Sequence, residues 1–188
     1  MKKLFLLFVT IYLISNSVSA QLEKGGWITS LQGNYSLKGP YYGSYRTQSL
    51  LINPGVMKLV HHNLAVGMVF NFGYEKTKDY PIDNGLTFTW KSYSLEAGPV
   101  LRKYFGDYKL KPFAELSSGI KCDFNSSTFS DNSKFKSHDT NLFIRPMIGL
   151  SYWINDRISI DISAGTDLME DNLKELNVNL GFSVKLGK

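Results

Sequence analysis

The sequence predicts an all-β fold, an eight-stranded antiparallel up-and-down transmembrane β-barrel with short periplasmic turns and longer extracellular loops. Large apolar and polar residues alternate without a break over residues 176–186. This is the period of a β-strand, and a membrane-crossing barrel strand needs about 9 to 11 such residues. Similar alternation recurs along the chain after residue 20, where apolar residues keep no helical spacing. Short and long connections alternate between these segments, which is typical of outer-membrane barrels.

The N-terminal residues predict export. Lys2 and Lys3 precede an apolar run over residues 4–14, and small polar residues then lead to Val18-Ser19-Ala20. This is the layout of a secretory signal peptide with its cleavage site. The apolar run is shorter than the roughly 18 residues that a membrane-spanning helix needs. We therefore expect residues 1–20 to be removed and residues 21–188 to form a single barrel domain.

The first four strands carry large apolar residues at every second position, with polar or small residues between them. Their approximate ranges are residues 26–38, 46–60, 66–75 and 87–105. Their apolar faces are, in chain order, Trp27, Leu31, Tyr35 and Leu37; Leu50, Ile52, Val56 and Val60; Val66, Met68, Phe70, Phe72 and Tyr74; and Tyr93, Leu95, Ala97, Leu101 and Phe105.

The last four strands repeat this pattern over residues 110–121, 141–154, 158–165 and 176–186. Their apolar faces are, in chain order, Leu110, Ala114, Leu116 and Ile120; Leu142, Ile144, Ile148, Leu150 and Tyr152; Ile158, Ile160, Ile162 and Ala164; and Leu176, Val178, Leu180, Phe182, Val184 and Leu186. Since side chains alternate between the two sides of a strand, each set lies on one face of the predicted sheet.

The connections differ in length at the two ends of the predicted barrel. Three tight turns cover residues 61–63, 106–107 and 155–156, and four longer polar connections cover residues 39–45, 76–85, 125–140 and 167–172. Short turns of outer-membrane barrels face the periplasm, so both chain termini are expected on that side.

Three prolines bear on the strand assignment. Pro54, Pro99 and Pro146 are 45 and 47 residues apart, each within a predicted strand. Proline removes one ladder hydrogen bond, and a closed barrel has no free edge where that loss is harmless. We therefore expect these prolines at β-bulges.

The charged residues decide which face meets lipid. A soluble barrel would turn the apolar set inward, but the alternate set carries charges of both signs: Glu96, Arg102, Glu115, Lys121, Arg145, Asp161 and Lys185. An outward Arg or Lys at mid-membrane would cost about 2 to 4 kcal/mol, whereas inward charges can pair. The sequence therefore predicts an apolar outer face, aromatic girdles near the strand ends and a barrel-interior charge network.

The depths of four charged residues predict how this network pairs. Counted from the short turns, Arg145, Glu96, Glu115 and Asp161 lie on adjacent strands at overlapping depths. We expect Arg145 between the three carboxylates. This network either neutralises buried charge, because an unpaired buried ion is costly, or acts as a gate that opens a narrow path.

No catalytic, cofactor or metal site emerges from the remaining residues. His61 and His62 fall in a predicted short turn, and His138 lies between Ser137 and Asp139, whose adjacency does not hold triad geometry. The acidic residues 167–172 lack the spacing of a calcium loop and are expected to form a solvated turn. The single cysteine, Cys122, cannot form an internal disulfide.

Composition and one predicted loop bear on partners. The net charge of +5 falls to +3 when the two signal-peptide lysines are removed, and the basic residues form no cluster with aromatics, so nucleic acid is not expected. Phe129 and Phe135 lie among polar residues of the long connection 125–140. As exposed aromatics they either contact other surfaces or pack on the barrel rim.

Several short segments resemble a known family. They are Ile52-Asn53-Pro54-Gly55, His62-Asn63-Leu64-Ala65-Val66-Gly67, Gly98-Pro99, Arg102-Lys103-Tyr104-Phe105, Lys111-Pro112-Phe113-Ala114-Glu115, Ile144-Arg145-Pro146, Tyr152-Trp153-Ile154-Asn155-Asp156-Arg157 and Leu180-Gly181-Phe182. Together they resemble the small porin-like outer-membrane β-barrel family common in Bacteroidetes, of the eight-stranded OmpA/OmpX-like type. The resemblance implies an eight-stranded barrel and gives no activity. The ending Leu186-Gly187-Lys188 departs from the terminal aromatic of many such barrels.

These observations predict a non-enzymatic integral protein of the Gram-negative outer membrane that contributes to envelope structure or surface interaction through its loops. A narrow channel for water, ions or small solutes is the alternative, and a lipid-modifying enzyme comes third. The expected partners are outer-membrane lipid and lipopolysaccharide, with periplasmic chaperones and the barrel-assembly machinery during biogenesis. The protein is expected to be a monomer without a cofactor.

Overall fold

The computed structural model describes residues 22, 24–38, 45–79, 88–129, 133–169 and 176–187. The predicted signal peptide, residues 1–20, lies outside this part of the chain. Within the described ranges, no helix is long and apolar enough to cross a membrane.

Eight antiparallel strands form a closed barrel, and each strand pairs with its neighbour in the sequence. The strands are β1 (Trp27–Lys38), β2 (Tyr45–His61), β3 (Leu64–Asp79), β4 (Phe88–Tyr104), β5 (Leu110–Phe129), β6 (Lys134–Trp153), β7 (Ile158–Gly165) and β8 (Asn177–Leu186). Pairing of β1 with β8, from Trp27 opposite Leu186 to Gly33 opposite Leu180, closes the ring. The predicted fold class is confirmed.

One end of the barrel carries the three short turns, and we call it the short-turn end. Asn63 takes the left-handed conformation between β2 and β3, with φ 59°, and Gly106 has φ 76° between β4 and β5. Between β6 and β7 the side-chain oxygen of Asn155 accepts the backbone N–H groups of Arg157 and Ile158 at 2.9 and 2.8 Å. The start of β1 and the end of β8 lie at this same end.

Alternation separates an apolar outer face from a buried inner one. On β4 the outward face carries Leu101, Leu95 and Tyr93 between Lys103 and Lys91, and these side chains are exposed, whereas Glu96 and Arg102 on the opposite face are buried. At about 3.3 Å per residue and the usual strand tilt, this apolar stretch is roughly 25 Å high. That height matches the apolar band of outer-membrane barrels.

The prolines do not lie at bulges, so that expectation is wrong. Pairing keeps its register through Pro54, Pro99 and Pro146, and the register shift between β2 and β3 falls at Leu59 and His61. Pairing partners are missing beside Pro54 only on the β3 side and beside Pro99 only on the β5 side. Because a residue directs its N–H to one neighbour only, Pro54 and Pro99 each interrupt one ladder and leave the other intact.

The fifth and sixth strands extend well beyond the predicted ones. They pair continuously from Leu110 opposite Tyr152 to Thr128 opposite Lys134, so most of the predicted loop 125–140 is a β-hairpin. Residues 133–142 are exposed on both faces of the strand. The sequence did not predict this hairpin, because a strand with solvent on both sides needs no alternation of apolar and polar residues.

The hairpin makes the barrel wall uneven in height. Strands β5 and β6 have 20 residues each, whereas β7 has 8 and β8 has 10. Strand β6 pairs with β7 only from Met147 to Trp153. The upper part of β6 therefore rises above β7, and this taller wall borders the open end of the lumen.

Candidate functional site

The barrel lumen holds most of the buried polar groups in the described residues, arranged in layers along the axis. An apolar layer fills the short-turn end, charged side chains fill the middle, and a wide polar cavity opens at the other end. We call this open cavity the vestibule.

The apolar layer closes the short-turn end. Trp153, Tyr104 and Phe113 point inward and are at most 2% exposed, and Leu22, from the segment before β1, packs with them. The rest of this layer is Ile28, Met57, Leu59, Ala65, Val69 and Val100. The barrel-interior charge network predicted from the sequence does not fill this layer. The signal was available at Met57, Tyr104 and Trp153, which occupy inward positions near the three short turns. Lys111 and Ser159 are buried polar residues beside two of the same turns.

Arg102 is the centre of the lower charged cluster. It lies opposite Glu115 in the β4–β5 pairing, and its Nε donates to that carboxylate. Its Nη1 donates to the Tyr104 hydroxyl at 3.2 Å and to Asp161 Oδ2 at 3.4 Å. The guanidinium also stacks on Phe113, 4.5 Å from the ring centroid. Arg102, 1% exposed, thus balances two buried carboxylates from inside the lumen.

Asp161 joins this cluster to three serines. Its Oδ1 accepts the hydroxyls of Ser151 and Ser159 at 2.6 and 2.9 Å, and its Oδ2 accepts that of Ser183. With Arg102, these donors come from β4, β6, β7 and β8, and all of them are buried. The carboxylate is therefore satisfied from four strands, as a buried charge requires.

Arg145 is the centre of the upper cluster. Its Nη1 and Nη2 bind the two oxygens of Glu96 at 3.0 and 3.1 Å, which is the forked geometry of strong arginine–carboxylate pairs. Nη2 also lies 3.5 Å from Asp167 Oδ2. Asn71 donates its amide to Glu96 from the other side.

Arg145 was predicted to bind Glu96, Glu115 and Asp161, but it binds only Glu96 of these three. Glu115 and Asp161 bind Arg102, and Asp167 takes a place beside Arg145. Arg145 lies opposite Ser117, which lies opposite Val100. Val100 is one inward position further from the short turn than Arg102, so Arg145 lies above the level of Arg102 and Glu115. Counting from the turns failed because it ignored the stagger between neighbouring strands.

Asp167 corrects a second expectation. It was placed in a solvated turn, but it is 4% exposed and points into the lumen. Its Oδ1 accepts the backbone N–H of Met169 at 3.0 Å and of Ile144 at 3.4 Å. The chain after β7 is thereby held against β6, where the backbone N–H of Leu168 also donates to Ile144 O at 2.8 Å.

The other two predicted charges lie outside these clusters. Lys121 lies opposite Glu96 in the β4–β5 pairing, and its Nζ is 3.8 Å from Asp123 on the vestibule wall. Lys185 is half-buried near the short-turn end, opposite Ile28.

The vestibule has a volume of about 860 Å³ and a polar wall. Between the two charged clusters a separate void of about 20 Å³ remains, beside Gln32, Asn53 and Ser117. That volume is close to the space needed by one water molecule.

The two predicted loop aromatics belong to the extended hairpin. Phe129 ends β5 and packs on Phe88 of β4, with ring centroids 5.1 Å apart. Phe135, on β6, is 71% exposed. By alternation from Asp123 and Asp139, both phenylalanines lie on the face of the hairpin that continues the lumen.

The histidines and the cysteine form no catalytic constellation in the described residues. His138 stacks on Phe124 and its Nδ1 is 3.3 Å from Asp123 O. His61 and His62 are exposed beside a short turn. Cys122 is a half-buried free thiol, 4.0 Å from the Thr140 hydroxyl.

Comparison with known proteins gives a fold and no family. No protein-family model matches the chain, and no curated protein matches it in sequence. The outer-membrane protein OprG from Pseudomonas aeruginosa is similar in structure, with a TM-score of 0.56 and 11% identity over 91% of this chain and 100% of that one. Ail of Yersinia pestis gives 0.47 and 16% over 87% and 99%, and the neisserial surface protein NspA gives 0.46 and 17% over 87% and 97%. The likeness to OprG supports the small barrel fold alone.

Proposed function

We propose that the chain is a non-enzymatic integral β-barrel of the Gram-negative outer membrane that contributes to envelope structure or surface interaction through its open end. One observation carries this proposal. Buried charges fill the inside of the barrel, whereas the described outward strand positions are charged only towards its two ends. These outward charges are Lys58 and Lys103 near the short turns, and Arg46, Lys76, Lys78, Lys91, Lys134 and Lys136 near the open end. Such an outer surface is stable in lipid and poorly suited to water.

Further parts of the proposal follow from this location. The short-turn end faces the periplasm and the vestibule faces outward. The resemblance to the Bacteroidetes barrel family and to the OmpA/OmpX-like type supports the same assignment. The proposal also includes export by a cleaved signal peptide, handling by periplasmic chaperones and the barrel-assembly machinery, and a monomeric state.

The apolar layer disfavours the alternative of a transport pore. Trp153, Tyr104 and Phe113 close the lumen below both charged clusters. A gate that works by repartnering Arg145 would open onto this layer, and apolar constrictions exclude water and ions. The ion pairs are therefore better explained as neutralising buried charge.

Conductance in planar bilayers tests this assignment. The parent protein and Arg145→Ala are each expected to show no resolvable channel, because the apolar layer remains in both. Channel conductance in the parent would contradict the closed lumen, and conductance that appears only in the variant would support a gated pore. Heat-modifiable gel mobility of the purified protein and its recovery in the outer-membrane fraction test the barrel itself.

A cationic band supports lipopolysaccharide as a partner. Above the apolar belt, the outward positions of β2 to β6 carry Arg46, Lys76, Lys78, Lys91, Lys134 and Lys136. Lys76 lies directly opposite Lys91, one outward position above the paired rings of Tyr74 and Tyr93, which are 5.1 Å apart. Opposed lysines repel each other, and anionic headgroups at this level would relieve that repulsion.

Binding of fluorescent lipid A by the folded protein in zwitterionic micelles tests this partner. Changing Lys76, Lys91 and Lys136 together to Gln is expected to weaken binding about tenfold or more, since each lysine near an anionic surface contributes about 1 kcal/mol. The matched control changes Lys58, Lys103 and Lys109 to Gln at the opposite end. Equal losses in both triple variants would refute the band as the binding surface.

A further inference from the structure

The charged side chains on the vestibule wall are already engaged with partners. Lys121 Nζ lies 3.8 Å from Asp123 Oδ2, and Arg145 binds both oxygens of Glu96 at 3.0 and 3.1 Å. Glu75 also has an interaction partner. A charged ligand would have to compete with these pairs, and breaking a buried pair is costly. The wall therefore favours an uncharged ligand.

Amides and hydroxyls make up most of the rest of the vestibule wall. Five asparagines, from β1, β5, β6 and β8, surround the cavity: Asn34, Asn125, Asn141, Asn177 and Asn179. Each asparagine amide offers two N–H donors and an acceptor oxygen, and each serine or threonine hydroxyl both donates and accepts. Because a sugar hydroxyl also donates and accepts, this wall can form many hydrogen bonds with a saccharide.

The vestibule floor supplies a second and independent signal. Asn179 points into the lumen from β8 and is 2% exposed. Its Nδ2 faces Met147 Sδ at 3.9 Å, while its Oδ1 has no hydrogen-bond partner among the described residues. A buried acceptor without a partner is costly, so it indicates a donor that arrives from the cavity.

Trp90 provides an aromatic face above these polar groups. It lines the vestibule from β4, where Ser92 and Ser94 lie one and two inward positions below it. Ser92 lies directly opposite Asn125 in the β4–β5 pairing. One face of a sugar ring consists of apolar C–H groups, which pack on an aromatic ring while the hydroxyls at the edge form hydrogen bonds. Trp90 and its polar neighbours match both features of a sugar ring.

We propose that the vestibule is a binding site for a linear neutral oligosaccharide. One sugar ring stacks on Trp90, hydroxyls along the chain bind Asn125 and other wall amides, and a hydroxyl at the inner end donates to Asn179 Oδ1. From Trp90 to Glu96 the wall spans six residues, about 20 Å along the strand, which accommodates several linked sugars. The cavity, about 860 Å³, has the size of typical small-molecule sites. This inference goes beyond the proposed function and rests on it only for the side from which the oligosaccharide enters.

Other ligand classes fit the vestibule less well. An apolar ligand would bury the amides and hydroxyls without hydrogen bonds, which is costly. Asp139 lines the cavity but is exposed, so water solvates its charge and no bound cation is required. The described residues contain no group of three or more His, Cys, Asp or Glu side chains that could hold a metal ion. A neutral ligand with many hydroxyls satisfies both the wall and Asn179.

Calorimetry with maltopentaose tests the site, on full-length protein that shows heat-modifiable mobility in micelles of a sugar-free zwitterionic detergent. The parent is expected to bind. Asn179→Ala is expected to bind about threefold to tenfold more weakly, the range for one neutral hydrogen bond. Trp90→Ala should show a loss of similar size, because the ring contact is removed. Trp27→Ala is the matched control, since it removes the same ring from the outward face at the short-turn end and should bind as the parent does.

Three results would overturn the proposal: no maltopentaose binding by the folded parent, the same affinity loss in Trp27→Ala as in Trp90→Ala, or spermidine binding as tightly as maltopentaose. Because Trp90 is half-buried on the vestibule wall, its substitution leaves the apolar layer and both charged clusters intact. A folded barrel that does not bind would contradict the oligosaccharide site alone, whereas channel conductance in the parent would contradict the closed lumen of the proposed function.

Discussion

Arg102 shows how single residues decide the interior of this barrel. Two carboxylates, Glu115 and Asp161, depend on it for charge compensation, and all three are at most 5% exposed. Alternation in the sequence was enough to place these side chains inside. The ion-pair partners of these side chains could not be predicted from the sequence. Pairing across the lumen depends on the stagger between strands, and no local sequence pattern shows that stagger.

Removal of Arg102 is expected to be severely destabilising. Arg102→Ala should lower the free energy of unfolding by about 3 to 5 kcal/mol, because it leaves two buried carboxylates without their cation. Urea unfolding in micelles, followed by the heat-modifiable gel shift, measures this loss. Lys103→Ala, one residue away on the exposed face, should change stability by no more than about 0.5 kcal/mol. A loss for Arg102→Ala as small as that of the control would contradict the role of the cluster.

At the scale of elements, the close approach of β4 and β5 at Gly98 and Gly119 was not predictable. A Cβ on Gly98 would overlap the backbone of Ser118 and Gly119, and a Cβ on Gly119 would overlap that of Ala97 and Gly98. The predicted strand ends match the observed ones within about four residues, except at the end of β5 and the start of β6. The strand periods could not reveal contact between two backbones. The exposed end of the β5–β6 hairpin, residues 133–142, was not predicted for a related reason. Apolar periodicity marks only those strand faces that pack against a core or another apolar surface.

Gly98→Ala is expected to weaken the β4–β5 pairing. The added methyl group meets backbone, which cannot give way as a flexible side chain can, so destabilisation of about 1 to 3 kcal/mol is expected. Gly33→Ala is the graded control, because its Cβ would meet a single atom, Leu51 O, at 3.2 Å. Unfolding midpoints in urea should fall further for Gly98→Ala. A larger fall for Gly33→Ala would argue against the close approach.

At the scale of the whole molecule, the two ends of the barrel differ in chemistry. The short-turn end is closed by Trp153 and its apolar neighbours, whereas the other end opens into a polar cavity beside a tall hairpin. The sequence predicted the strand number, the closed topology and the apolar outer face. It did not predict the layered lumen, because the stagger between neighbouring strands decides which inward side chains share a level.

Protease protection in intact cells tests the proposed orientation. An epitope inserted after Ser133 should be cleaved by external protease, because this position caps the hairpin at the open end. The same epitope after His62 should be protected, because that turn lies at the closed end. The reverse pattern would place the vestibule in the periplasm and would contradict the orientation.

The two arginine clusters have a mechanical consequence. Arg102 links β4 and β5 to β7, and Arg145 links β6 to β4 and to the chain after β7, at different heights of the lumen. These ion pairs cross-link the barrel wall at two levels, and we expect them to resist a change in the cross-section of the barrel. Because both clusters lie between the two ends of the barrel, we expect a shape change at the open end to be damped before it reaches the short-turn end. A ligand bound at the open end would therefore leave the short-turn end unchanged.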